Sequence, residues 1–388
     1  MKKLNKKIKL FISHSRSIFS LYSTLPIRKR FAILSDYRKL YKYKGLNVDE
    51  YYEYGFETQS NHFKKTFLGV NEQRFYLDFL NPIKYYILSR NKYFTHKILE
   101  NTGIRKTTLY CYYRPEGVVE HSNEVATNIA DVVRILQQRN VASCVIKDTE
   151  NSHGEGVVVV KEITYFDNDC LLHLYNGERV HLSSMLGKHP LIFESLIKQT
   201  QQLEAFNKSS VNTIRFMTTL YPDGEARLVA TFIKIGRKGS CVDNAGSGGN
   251  VDACIDTESG ALKYVIRYDG MRDVTDITRH PDTDVQLSGV VIENWDKIKT
   301  QVLQYQKAYP YAKAAGWDIA ITDEGAVVIE VNDMWDRTGQ LFIRTGWRNE
   351  IRDCYNAWQQ TGAKYILYRQ QNELTLKHLL KISKQECD

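Results

Sequence analysis

None of the 388 residues belongs to an apolar run approaching the roughly eighteen residues that a membrane-crossing helix needs. Metal-binding cysteine spacing is also missing. The seven cysteines (Cys111, Cys144, Cys170, Cys241, Cys254, Cys354 and Cys387) are scattered and form no CxxC pair. An odd, unclustered set argues against a disulfide framework or a zinc site and for a reducing compartment. A secretory signal needs a continuous apolar core, and Ser13-His14-Ser15-Arg16-Ser17 interrupts the first candidate. Nor does any loop carry the Gly-x4-Gly-Lys-Ser/Thr run of a P-loop.

At 43% hydrophobic the chain can bury a large core, and its length suggests two or three domains. The formal net charge of +8 suits an anionic partner: nucleotide, nucleic acid, membrane or acidic glycan. Residues 1–90 read as a basic, mostly helical region. Lys2, Lys3, Lys6, Lys7 and Lys9 open it, followed by apolar Phe11, Ile12, Ile18, Phe19 and Leu21. A solvated helix and a basic amphipathic segment resting on an anionic bilayer both fit that pattern. Short helices are expected at about 71–80 and 82–89.

Residues 91–192 hold a lysine pair and a glycine loop. Lys92 starts a helix that Gly103 stops, and a second helix is expected over 122–140. Val141 to Lys147 reads as a strand ending in lysine. The loop Asp148 to Gly156 follows, then another strand from Val157. Bare amides in such a loop can cover polyphosphate, with the lysine as a point charge; a plain surface hairpin has the same signature.

Residues 193–345 carry denser chemistry. Pro190 to Ile197 is a strand that leaves Glu194 beside aliphatic residues, as an adenine slot requires. Two strands, 211–220 and 227–235, flank the turn Tyr221-Pro222-Asp223-Gly224. Arg215 sits mid-strand among apolar neighbours, so it must pair with a carboxylate or face a ligand. The loop Asp243 to Asn250 has three glycines and can present amides to an anion. Residues 316–332 read as a hairpin whose tip is the three-residue loop Asp323-Glu324-Gly325. Asp318 then falls opposite Glu330, and Asn332 shares the face of Glu330. Two opposed carboxylates need a cation or a proton. With an amide oxygen they make a hard oxygen set suited to Mg²⁺ holding phosphates; solvated acids at the edge of a hairpin are the plain alternative. Residues 346–388 read as a helical tail.

In this order the parts resemble the ATP-grasp superfamily, and most closely its sugar-transfer-associated branch. The likeness rests on Ser210-Val211-Asn212-Thr213-Ile214-Arg215, on the loop Asp243-Asn244 to Gly249, and on Gly316 to Asn332. It covers about residues 90–345. It implies an α+β fold in which two lobes grip ATP, flanked by the helical regions. It further implies that Lys92 and Lys147 hold phosphates and that Ser152, Gly154 and Gly156 form a lid. Glu194, Leu196 and Ile197 would read adenine, and Gln201 would lie near the ribose, where many relatives have an acid. Arg215 would touch the transferring phosphoryl group, with Lys234 where relatives often place arginine. Gly248 and Gly249 would stabilise an oxyanion, while Asn212, Asn244 and Ser247 contact substrate. Asp318, Glu330 and Asn332 would bind Mg²⁺.

The activity implied is an ATP-dependent carboxylate–amine ligase, working through an acyl phosphate on glycan-linked substrates of surface-polysaccharide synthesis. It would act in the cytoplasm, with peripheral contact at the inner face of the membrane. Phosphoryl transfer to a sugar hydroxyl would use the same ATP site. Nucleic-acid binding is disfavoured, because the acidic hairpin would repel phosphates unless metal is bound.

Overall fold

Aromatic packing organises the first ninety residues of the computed structural model, which describes residues 2–117, 122–151, 156–240, 250–270 and 272–362, with side chains from residue 8. Helices α1 (Lys2–Leu21) and α2 (Ile27–Lys44) form a hairpin. Gly45 ends α2 at φ +65°, and its amide donates to Tyr41. Two short helices follow, α3 (Val48–Glu53) with an Asn47/Glu50 capping box and α4 (Asn61–Thr66) capped by Ser60. Tyr37, Tyr51, Tyr54, Phe56, Phe63 and Phe67 fill the core between them. Next comes α5 (Val70–Leu80), then a 3₁₀ turn at Ile83–Tyr85, where one helix was expected, and the short α6 (Ile87–Arg90). Asn91 caps α7 (Lys92–Glu100) through the amide of Phe94.

The first sheet uses β1 (Leu109–Tyr113), β2 (Val125–Ala126), β3 (Cys144–Asp148), β4 (Val158–Tyr165), β5 (Cys170–Leu174), β6 (Arg179–His181) and β7 (Leu191–Glu194). Its order is β2-β1-β7-β3-β4-β5-β6, so the last strand is inserted between the first and third. The helix expected over 122–140 is only α8 (Ile129–Gln138). The residues before it pair parallel to β1 as β2, and Asn128 caps the helix by accepting from Asp131. Val132, Val133, Ile135 and Leu136 cover one face of this sheet. A short helix, α9 (Leu182–Met185), precedes β7.

Helix α10 (Gln201–Phe206) leads into the second sheet. Its strands are β8 (Thr213–Leu220), β9 (Ala226–Ile235), β10 (Asn250–Ile255), β11 (Leu262–Gly270) and β12 (Asp273–Asp276), then, after α11 (Trp295–Ala308), β13 (Ala314–Thr322) and β14 (Gly325–Asn332). The order is β12-β11-β10-β9-β8-β13-β14. Trp295, Ile298 and Val302 of α11 pack on one face. The other face is half covered by α5, by α12 (Gly339–Phe342) and by α13 (Arg348–Gln360), which bury Met217, Phe232, Ile266 and Tyr268. The remaining half, toward the first sheet, is polar. The start of the expected tail is thus part of the body: Arg348 is buried and donates to Glu72 of α5 at 2.7 Å.

The turn before α13 is set by close backbone approach. A Cβ on Gly346 would lie 1.9 Å from the carbonyl oxygen of Thr66. Gly346→Ala must therefore push α4 and α13 apart. It is expected to cost roughly 1–3 kcal/mol as an overpacking change, read as a lower denaturant midpoint; an unchanged midpoint would show that this contact yields freely.

Candidate functional site

A bulge decides which carboxylates face each other. Thr322 pairs with Gly325, so the hairpin tip has two residues, Asp323 and Glu324, rather than the expected three. Gly325 has φ +117°, and a Cβ there would lie 2.7 Å from Gln301 Oε1, so glycine is required. Pairing shifts by one residue between Asp318 and Ile319, which places Asp318 opposite Glu330 and Ile319 opposite Val328. Ile319 and Val328 can then enter the core while Asp318 and Glu330 share the polar face.

Asp318 is buried and held by cations. Arg215, its neighbour on β8, donates from Nε to Oδ1 at 2.6 Å and from Nη2 to Oδ2 at 2.8 Å. Lys234 Nζ stands 3.1 Å from Oδ1, and Asn332 Nδ2 3.4 Å from Oδ2. Burial alone would raise the pKa of Asp318, but Arg215 and Lys234 outweigh it and hold the carboxyl well below its usual range. Burial likewise works against the Arg215 charge, and Asp318 overrides it.

The first sheet carries a matching arrangement. Because β7 lies beside β3, Glu194 reaches Lys147, and the two form a close ion pair. His96 Nε2 lies 2.9 Å from Glu194 Oε2, and Thr107 Oγ1 donates to the same oxygen at 2.7 Å. Burial pushes the Glu194 pKa up, but Lys147 and His96 bring it well below the ordinary carboxylate range. Neither His96 nor Thr107 stood out in the sequence, since a histidine inside a helix gives no sign of what it faces. Glu194 is buried, and its carboxylate is engaged by Lys147, His96 and Thr107.

Between the two sheets lies a cleft that reaches from Lys147 and Glu194 to Glu330. Lys92, His96, Lys106, Lys147, Glu194 and Glu330 are among the side chains that line it. Lys92 is half-buried; its amide donates to Thr149 and its Nζ to Asn151 at 2.5 Å, so the start of the glycine loop is tied to α7. Burial lowers the Lys92 pKa; Glu330 opposes that shift and Lys147 adds to it. Arg90 holds α7 in place by a forked contact with Asp333, Nε to Oδ2 at 3.0 Å, and Ser89 donates to the same carboxylate.

Other expected positions fall differently. Asn212 is buried, and its amide is engaged by Gln199, Leu203, Asn207 and Gly236. Through these bonds it ties α10 to the start of β8. Leu196 and Ile197 are half-buried beyond β7, while Gln201 is exposed at the start of α10. Gly156 is described, at φ +73°. Ser152, Gly154, Asn244, Ser247, Gly248 and Gly249 lie outside the described residues.

Both buried carboxylates have folded pKa values below their unfolded ones, so they stabilise the fold above the unfolded pKa near 4 and lose that contribution as pH falls through the folded value. Stability measured by denaturant should thus drop as pH falls below about 4. At neutral pH, Asp318→Ala leaves Arg215 and Lys234 without their buried partner and is expected to cost roughly 3–5 kcal/mol. A variant as stable as the parent would show that the network is solvated.

The model of the family described as sugar-transfer associated ATP-grasp matches residues 71–355. No curated protein matches the chain. Among solved structures, phosphoribosylamine–glycine ligase from Thermotoga maritima is similar at 11% identity and a TM-score of 0.42, over 77% of this chain and 61% of that one. Biotin carboxylase from Campylobacter jejuni, in a β,γ-ATP complex, is similar at 8% identity and 0.42, over 76% and 50%. D-alanine–D-alanine ligase from Bacillus anthracis is similar at 14% identity and 0.33, over 77% and 70%. The chain spans about half the length of the carboxylase.

Proposed function

Since the chain belongs to the sugar-transfer associated ATP-grasp family, we propose that it is an ATP-dependent carboxylate–amine ligase acting through an acyl phosphate. The observation that carries this reading is the shared cleft: Lys92 and Lys147 from one side meet Glu330 from the other. Lys92 and Lys147 bind the phosphates of ATP. Lys147 is oriented before the nucleotide arrives, because Glu194 holds its ammonium group and His96 and Thr107 hold Glu194. Leu196 and Ile197 flank the adenine, and the loop through Gly156 closes over the phosphates.

The donor chemistry fits Mg²⁺ bound jointly with phosphate oxygens. Mg²⁺ takes one or two carboxylates and completes its shell with phosphates and water. Glu330 and Asn332 supply protein oxygens on one strand face. Asp318 joins them only as Arg215 or Lys234 turns toward the phosphoryl group, since both now occupy its oxygens. When bound, Mg²⁺ offsets charge on the phosphates.

The γ-phosphoryl passes to the substrate carboxylate, giving ADP and an acyl phosphate. Attack by the amine then forms the amide and releases phosphate. Arg215 steadies negative charge on the moving phosphoryl group, and a closed cleft keeps water from the acyl phosphate. The family's link to sugar transfer supports an amino acid or amino sugar as amine and a glycan-borne carboxylate, in surface-polysaccharide synthesis in the cytoplasm.

The test is ADP release across a panel of amines and uronic-acid glycans, with hydroxylamine as a trap. A hydroxamate should form only with ATP and the carboxylate. ADP release without amine and without hydroxamate would replace this reading with phosphoryl transfer to a hydroxyl. Glu330→Ala should abolish amine-dependent ADP release; full turnover would remove Glu330 from the metal set. Lys92→Ala should raise KM for ATP roughly tenfold or more, as expected for a lost charge-assisted contact, and an unchanged KM would exclude phosphate binding there.

A further inference from the structure

Helices α1 and α2 carry a surface that the rest of the protein leaves uncovered. Near its C-terminal end α1 is anchored, with Ile18 and Tyr22 buried in the helical core. Earlier in the same helix Ile8, Phe11 and Ile12 are exposed, Phe11 by 51%. Helical spacing puts Ile8, Phe11, Ile12 and Phe19 on the stripe that continues from Ile18, with Arg16 and Lys9 flanking it on the Ile12 side. Helix α2 extends the patch with Ile27, 54% exposed, and Phe31, 60% exposed. Phe19 and Phe31 meet edge to face at 5.1 Å, and the guanidinium of Arg38 lies 3.6 Å from the centre of the Phe11 ring.

The sequence that leads into these two helices carries charge of one sign. Lys2, Lys3, Lys6, Lys7, Lys9, Arg16, Arg28, Lys29 and Arg30 all precede Asp36, the first acidic residue of the sequence.

We infer that the α1–α2 face is a docking surface for an anionic lipid bilayer. The apolar strip enters the boundary between headgroups and acyl chains, and the surrounding lysines and arginines meet lipid phosphates. Two observations select lipid. A nucleic acid satisfies the cations but gives Ile8, Ile12 and Ile27 no apolar phase. A second copy covers the apolar strip but brings two all-basic segments together. Among the described residues no helix is long and apolar enough to cross a membrane, so these helices lie on the surface. This inference stands apart from the proposed ligase chemistry, because none of these residues lines the cleft.

The test is sedimentation of the full chain with vesicles of phosphatidylcholine alone, or with about a third phosphatidylglycerol. The chain should partition onto the anionic vesicles at least tenfold more strongly, and raising salt from about 0.1 M to about 0.5 M should weaken that binding. Replacing apolar side chains in I8S/F11S/F31S should reduce partitioning by about tenfold or more. R28E/K29E should also weaken binding while keeping the apolar strip. An unchanged thermal melt of each variant, read beside the partitioning, separates lost docking from lost folding. No binding to either vesicle, equal binding to both, or parental binding by I8S/F11S/F31S would overturn the inference. So would a concentration-dependent dimer that I8S/F11S/F31S dissolves without any vesicle binding, which would assign the face to a second copy.

Discussion

Two buried carboxylates, one per sheet, are each kept ionised by basic groups packed against them, and these pairs fix the cationic side chains beside the cleft. A carboxylate removed from water at this depth would take up a proton if nothing opposed it. Glu194 avoids this through Lys147 and His96, and Asp318 through Arg215 and Lys234. Such pairs add little to stability compared with apolar replacements, but losing one partner is costly. Their value is positional. Lys147 cannot swing away while Glu194 holds it, and Glu194 cannot turn while His96 and Thr107 hold it.

Strand order makes the first arrangement possible. With β7 between β1 and β3, a residue late in the lobe stands beside one far earlier in the chain, Val145 pairing with Glu194. The second arrangement depends on β8, β9 and β13 being neighbours, so that Arg215, Lys234 and Asp318 meet. The two halves are registered by Asp333, the residue after β14. Its grip on Arg90 and Ser89 fixes the start of α7, and hence Lys92, relative to Glu330. Asn81 adds a bond to the Asp333 carbonyl at 2.6 Å.

Much of this was legible in the sequence because strand alternation and turn residues are local signals. The opposition of Asp318 and Glu330 was read correctly through two errors that cancel. A three-residue tip without a bulge gives the same partner as the observed two-residue tip with one. The bulge carries no glycine to announce it; it follows from the need to bury Ile319 and Val328 together. The helix expected over 122–140 was too long because apolar spacing cannot show that Val125 and Ala126 add to a distant strand edge. Asn212, just before an apolar strand, shows where the sequence stops: a buried polar side chain needs partners, and the sequence does not say that Gln199, Leu203, Asn207 and Gly236 supply them. Arg215 posed the same question, and here its carboxylate partner is Asp318, itself part of the candidate site.

The charge balance of the cleft bears on the order of events in the proposed reaction. Its lining holds Lys92, Lys106 and Lys147 against Glu194 and Glu330, and Arg215 and Lys234 outnumber Asp318 beside it. A cleft with that excess of cations attracts a polyphosphate and repels a free ammonium group. Burial lowers the Lys92 pKa, and an anion bound beside it would oppose that shift. Phosphate oxygens can then draw Lys234 or Arg215 from Asp318, leaving its carboxylate open to a divalent cation. In the proposed order the nucleotide would prepare the metal site, and the amine, which the empty cleft disfavours, would enter once phosphate had reversed the sign of the field. The buried carboxylates Glu194 and Asp318 have a part in this proposal before nucleotide arrives: they hold the basic groups in position without neutralising the cleft.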